Sequence, residues 1–262
     1  MKQQLIQIAV VSHKEYQFPK DKCYIPYFVG PIAKEKAPSE TYILDTEEEN
    51  ISKKNPNYCE LTAQYSLWKN SQAKIKGLVH YRRHFVRKKK SNKDKKFDMI
   101  LSENQIRQLL EEYDVILPKK RHYYIETMWS HYEHSHHIEG LELTKEIITK
   151  DYPEYLSSFN QVMNARSAHM FNMFIAKSEI FDAYSEWLFD ILGKVEAQLD
   201  ISNYSTYEAR VYGYISELLM DVWMNHHNIH YFEQPVMFME PQNWIQKGGK
   251  FLLRKFKGGI ID

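Results

Sequence analysis

Apolar and polar positions divide the chain into short buried-strand runs alternating with helical stretches. Leu5 to Val11 (LIQIAVV) is β-branched and nearly all apolar, and it ends at Ser12-His13, which predicts a buried strand. Between residues 16 and 40, Pro19, Pro26, Pro31 and Pro38 interrupt each candidate element, so an irregular segment is expected. Tyr42 to Asp45 reads as a short strand. Asn55-Pro56 opens a helix, with Asn as cap and Pro at the first position. Tyr58, Leu61, Tyr65 and Trp68 fall on one face of that helix, which runs over 57–70. Ile75 to Val79 is the next buried strand, and Phe97 to Leu101 is a short apolar run. Ser102 and Gln105 form a capping box for a helix to Tyr113, and Asp114 to Leu117 is a strand stopped by Pro118. Helical patterns cover 142–149 and 153–164, and Phe171 to Ala176 reads as a strand. Ser178 caps a helix to Leu192, and a last helix covers 206–224. Alternation of this kind predicts a mixed α/β sheet with helices on both sides.

The strand from Ile75 ends in the densest chemistry of the chain: Gly77-Leu78-Val79-His80-Tyr81-Arg82-Arg83-His84-Phe85. An apolar run stops at two arginines flanked by two histidines. Ligands of open α/β sheets sit at the carboxyl ends of strands, and the guanidinium fork suits phosphate. A phosphorylated ligand is therefore expected there. Asn50-Ile51-Ser52 and Asn55 to Thr62 feed a helix start, whose free N–H groups also favour an anion.

Composition narrows the choice. Net charge is only +1 over 262 residues, which argues against a polyanion binder. Two stretches are locally basic, Arg87 to Lys96 and Lys247 to Lys257. The second belongs to an amphipathic segment, Trp244 to Phe256, which fits an interfacial helix on anionic membrane. The expected division is a domain at 1–240 and this basic segment at 241–262. Two cysteines, Cys23 and Cys59, do not make a disulfide framework, which favours a reducing cytoplasm. No run approaches the roughly 18 apolar residues of a membrane span, and the N-terminus does not read as a signal peptide.

His131-Tyr132-Glu133-His134-Ser135-His136-His137 carries ligand types for zinc, but no HExxH spacing supports it. A metal-dependent hydrolase built on this cluster is one alternative, and a nucleic-acid binder using the basic loop is another. Glu208 and Glu217 lie nine residues apart, about half a turn on a helical wheel, and cannot share a face. Arg210 and Glu217 do share one, so Glu217 is either paired with Arg210 or poised as a base.

The segments Ser12-His13-Lys14, Asn50-Ile51-Ser52 through Asn55, Tyr58-Cys59-Glu60-Leu61-Thr62, Trp68-Lys69-Asn70, His80-Tyr81-Arg82-Arg83, Leu117-Pro118-Lys119, Asn172-Met173-Phe174-Ile175, Trp187-Leu188-Phe189-Asp190-Ile191-Leu192 and Gly213-Tyr214-Ile215-Ser216-Glu217, in this order, resemble a bacterial family. It is a domain of originally unknown function from capsular and exopolysaccharide gene clusters, whose members are described as glycosyltransferases. The resemblance implies a GT-A-like mixed sheet flanked by helices and a nucleotide-sugar donor. In the GT-A class an Asp-x-Asp pair holds a metal on the donor diphosphate. This chain has no Asp-x-Asp, and His80-Tyr81-Arg82-Arg83 stands in its place. Two guanidinium groups can neutralise a diphosphate as a metal does, so no resident metal is expected and Mn²⁺ or Mg²⁺ would stimulate weakly at most. The resemblance further implies that His13, Asn50, Asn55, Glu60, Thr62, His80, Tyr81, Arg82 and Arg83 bind the nucleotide-sugar. It places Tyr132, His136, Asn172 and Arg210 on the acceptor side, and makes Glu217, then Glu208, the candidate catalytic base if the reaction inverts the anomeric centre; a retaining reaction needs no such base and leaves Glu217 structural. The expected donor is a UDP-sugar, with galactofuranose first and other hexoses behind it. The expected acceptor is a lipid-linked polysaccharide precursor at the inner face of the membrane, with the enzyme cytoplasmic and peripheral. No nucleic-acid partner is expected.

Overall fold

The computed structural model describes residues 5–39, 41–87 and 95–240. The basic residues 88–94 and the C-terminal segment 241–262 lie outside the described residues, as does the test of a boundary at 240.

The chain begins with β1 (Ile6–Ser12), β2 (Tyr24–Phe28), a single turn α1 (Ala33–Lys36) and β3 (Ile43–Leu44). Two helical pieces follow, α2 (Asn55–Tyr58) and α3 (Leu61–Asn70), and then β4 (Ile75–His80) and β5 (Arg83–Phe85). Next come α4 (Glu103–Glu112), β6 (Val115–Pro118), β7 (Arg121–His122), α5 (Met128–Ser135), α6 (Glu139–Asp151) and α7 (Leu156–Asn164). The last part holds β8 (Ser167–Ala168), β9 (Phe174–Lys177), α8 (Ser178–Glu196), α9 (Val211–His226), β10 (Tyr231–Gln234) and β11 (Val236–Phe238).

The main sheet runs in the order β10-β6-β9-β4-β1-β2-β3. β3, β2, β1 and β4 are parallel, while β9 enters antiparallel between β4 and β6. β5 turns back on β4 through the single pair His80–Arg83, and β11 covers β5. Successive β1 side chains enter opposite cores. Ala9 and Val11 join a cluster with α3, α8 and α9, whereas Ile6, Ile8 and Val10 join one with α4. A strand buried on both faces needs a continuous apolar run, which explains LIQIAVV.

Several elements depart from the expected pattern. The segment judged irregular contains β2, with Pro26 paired to Val10. Ile8 N–H bonds Cys23 and Val29 N–H bonds Ser12, so alternate β2 residues face β1 and Pro26 faces the other way. On that side β3 reaches only Tyr27 and Phe28, and no ladder bond is lost at Pro26. The single helix expected over 57–70 is two, broken at Cys59, whose φ is 53°. Asn55 is not the cap of the helix but its first residue. Its amide reaches forward to the Cys59 carbonyl (2.8 Å) and Thr62 Oγ1 (3.1 Å), bracing the break. Ser178 likewise starts α8 without capping it. The Ser102–Gln105 capping box does form, with Ser102 N–H donating to Gln105 Oε1 at 3.0 Å. Among the described residues no helix is long and apolar enough to cross a membrane.

Gly77 marks the tightest strand contact. A Cβ there would come within 2.9 Å of Ile175 Cγ1 and 3.2 Å of the Phe174 carbonyl oxygen on β9. Gly77→Ala is expected to cost about 1–3 kcal/mol by overpacking, read as a lower urea midpoint at unchanged slope.

Candidate active site

β1 and β4 run side by side, with Val11 opposite His80, so the residues leaving both strands meet at one edge of the sheet. His13 and Lys14 arrive from β1. His80, Tyr81, Arg82 and Arg83 arrive from β4 as a tight turn, with His80 and Arg83 as its paired ends. Tyr81 is the buried floor of this turn, 1% exposed. Its ring stacks on His80 (4.6 Å), meets His13 (5.6 Å) and Tyr16 (4.8 Å) edge-on, and lies under Lys14 Nζ (5.3 Å) and the Arg82 guanidinium (5.1 Å). Burial, and then the charges of Arg83 and Arg82, hold His80 down to about 3. Burial followed by Arg82 and Lys14 also lowers His13. Both imidazoles are thus neutral near pH 7, and the positive charge resides on Lys14, Arg82 and Arg83. His84 faces the α4-side core between Tyr24 and Phe97, where burial lowers it to about 4.

The two arginines have different surroundings. Arg82 keeps 40% exposure and stands 3.6 Å from Glu240, which also lies 3.6 Å from Lys14. Arg83 is laid over Phe171 (4.5 Å) and Phe238 (5.6 Å). Burial lowers its pKa, and the facing Glu217 and Glu60 oppose that fall.

Glu217 projects from α9 with its carboxyl enclosed by neighbours, though the residue as a whole is half-buried. Burial, and then the Glu60 charge, push it up to about 7, against Arg83, the Phe171 N–H bond and Arg121. Glu60 sits at the α2–α3 break and accepts from Asn172 Nδ2 at 3.0 Å. Asn172 also donates to the Gly213 carbonyl (3.0 Å) and accepts from Ser216 Oγ (2.9 Å). The Arg210–Glu217 pair that helical spacing suggests is not formed. Arg210 precedes α9, donates from Nε to Cys59 Sγ (3.0 Å) and lies over Tyr214. Glu208 is buried and bonded to His136 Nδ1 (3.1 Å).

The histidine-rich segment does not converge. α5 ends at Ser135, so His136 and His137 leave the helix. Glu126 takes His131 and His134 (3.0 Å each), Glu208 takes His136, and His137 stacks on Tyr204 (4.2 Å). Among the described residues no group of three or more His, Cys, Asp or Glu is placed to hold a metal ion. His131, Tyr132, His136, Tyr214 and Glu217 instead border a small cavity of about 40 Å³.

The structure brings together His13, His80, Tyr81, Arg82, Arg83, Glu60, Asn172 and Glu217. Asn50, Asn55 and Thr62 spend their side chains on local turns. Asn50 bonds Thr46, Glu48 and Ser52, and Asn55 and Thr62 brace the carbonyl at Cys59. Sequence reasoning missed Arg121 and Phe171. Arg121 follows the carboxyl end of β6, so the strand-end rule that singled out Arg82 also covers it.

A parallel-stranded half with an inserted antiparallel β9, and a polar turn at the carboxyl end of β4, make this a GT-A-like glycosyltransferase fold. The chain belongs to the family described as domain of unknown function DUF4422, whose model matches residues 7–228. It is similar to the apo structure of WbbM, a bifunctional glycosyltransferase, at 31% identity and a TM-score of 0.81. The match covers 90% of this chain but 45% of that one, so the chain spans under half the length of that protein. No curated protein matches the chain.

Proposed function

We propose that the protein is an inverting glycosyltransferase that moves a sugar from a nucleotide-sugar diphosphate to an acceptor hydroxyl. The observation that carries this reading is the meeting of a half-buried cationic turn with an enclosed carboxyl whose pKa burial raises to about 7. Arg82 and Lys14 take the diphosphate. Arg83, turned inward, neutralises Glu217 and Glu60. Glu217 accepts the acceptor's hydroxyl proton as the oxygen bonds to the anomeric carbon. The bond from that carbon to the diphosphate breaks, and the leaving nucleotide's new charge falls beside Arg82 and Lys14.

A divalent metal of the Asp-x-Asp type does not fit these residues. The strand end offers His80, Tyr81, Arg82 and Arg83, and the nearby imidazoles sit among cations. The similarity to WbbM supports glycosyl transfer in general. A UDP-sugar, with galactofuranose as first choice, is the proposed donor. A lipid-linked saccharide of capsule or exopolysaccharide assembly at the inner membrane face is the proposed acceptor, with Tyr132, His136 and the nearby cavity on its side.

The test is thermal-shift titration with UDP, GDP, CMP and dTDP and their sugars, with Mn²⁺ or EDTA. UDP should raise the melting temperature equally in EDTA. Arg82→Ala should weaken UDP by about tenfold or more, since a charge-assisted bond contributes roughly 1.5–3 kcal/mol. Unchanged UDP affinity in Arg82→Ala removes that residue from the donor site. No response to any nucleotide removes the transferase reading.

A further inference from the structure

Phe171 and Asn172 are consecutive non-glycine residues in the left-handed region, with φ of 88° and 48°. Asn tolerates that conformation, but a bulky Phe adopts it only when its surroundings hold it there. This turn immediately precedes Met173 and β9, and its two residues face two different acids. The Phe171 backbone N–H faces Glu217 and favours its ionised form. The Asn172 side chain bonds Glu60 Oε1 at 3.0 Å. The Asn172 amide cannot swing away. Its second hydrogen goes to the Gly213 carbonyl (3.0 Å) and its oxygen is held by Ser216 Oγ (2.9 Å). Gly213 and Ser216 belong to the helix that carries Glu217. The acids come from elements far apart in the chain, and the strained turn lies between them.

We infer that the Phe171–Asn172 turn is a clamp that holds Glu60 against Glu217, making Glu60 a positioning residue that acts through its charge on the proposed base. This inference rests on the reading of Glu217 as that base. Glu60 is spent on Asn172 and faces inward to Arg83, so it need not touch substrate. Its effect is electrostatic: a second carboxylate beside Glu217 makes loss of the Glu217 proton harder and the resulting base stronger. The other groups around Glu217 are Cys59 at the α2–α3 break with Arg210 bonded to it, Arg83 on β5, Arg121 on β7, Tyr123 just beyond it, and His131, Tyr132, His136 and Tyr214 around the cavity. Glu60 is held by Asn172, whose amide is itself tied to Gly213 and Ser216 of the helix that carries Glu217.

The test is a carbon NMR titration of the full chain labelled with δ-¹³C glutamate, in the wild type and in Glu217→Gln, Glu60→Gln and Asn172→Asp. The resonance lost in Glu217→Gln belongs to Glu217 and should titrate near 7. In Glu60→Gln, which keeps an acceptor for Asn172, the midpoint should fall by about one unit. In Asn172→Asp, which suits the left-handed backbone but replaces the donor with a negative charge, it should rise. A midpoint unmoved in Glu60→Gln overturns the inference. If that variant does not fold, an unmoved or lowered midpoint in Asn172→Asp does so. A purely structural Glu60 would change stability and leave the midpoint alone. Donor turnover by Glu217→Gln is measured separately. Full activity there would remove the base reading, whatever the titrations show.

Discussion

Glu217→Gln should lower turnover of the nucleotide-sugar by about 10²–10⁴-fold, the range that a positioned general base contributes, while UDP still binds. The amide keeps the shape and loses only the ability to take a proton. Wild-type kcat/KM should rise with pH, about tenfold per unit, and level off above the Glu217 midpoint of about 7. The sign follows from the role: a base works when deprotonated, and burial together with Glu60 keeps the proton on until near neutrality. The residual activity of Glu217→Gln should lack that rise. Stability separates lost chemistry from lost folding. Because the folded pKa of Glu217 is raised above its unfolded value, ionising it costs the wild type stability as pH climbs from the ordinary carboxylate range toward 7. Above pH 7 Glu217→Gln should therefore resist denaturant at least as well as wild type, a gain of stability at the expense of activity. A turnover within a few-fold of wild type would exclude Glu217 as the base.

What could be read in the sequence depended on how local its cause was. β1, β4 and β9 are apolar runs buried on both faces, and the α4 capping box closes within four residues, so each is written in adjacent positions. β2 was hidden because Pro26 normally excludes a strand, and what permits it is the short reach of β3, a fact of register. The break at Cys59 was hidden because a non-glycine residue takes the left-handed conformation there. That break turns Glu60 toward Asn172, 112 positions away. The same holds for the site. The cationic end of β4 and the acid on α9 were both visible as residues. Their pairing was not: helical spacing favoured Arg210 as the partner of Glu217, whereas folding places Arg83 there and sends Arg210 to Cys59. The histidine-rich segment looked like a ligand set because its residues are adjacent, yet Glu126 and Glu208 draw its imidazoles to separate places.

His169→Leu should destabilise the fold by about 3–5 kcal/mol, the cost of leaving a buried charged partner uncompensated. His169 is 1% exposed and lies between two acids. Its Nδ1 bonds Asp221 on α9, its backbone N–H bonds the other Asp221 oxygen at 2.9 Å, and its Nε2 meets Glu233 on β10 at 3.1 Å. One imidazole thus joins the residue after β8, the helix that carries Glu217, and an edge strand. These partners are 52 and 64 positions away in the chain. Leu fills the volume and keeps the backbone N–H bond to Asp221, but its side chain bonds neither acid, and Asp221, 7% exposed, cannot turn to water without disturbing α9. The loss should appear as a lower urea midpoint at unchanged slope. Adding Asp221→Asn should recover part of it, because a buried amide lacking one partner costs less than a buried carboxylate. If His169→Leu alone is within 1 kcal/mol of wild type (about the net worth of one ordinary hydrogen bond), the imidazole is not what ties α9 to β10.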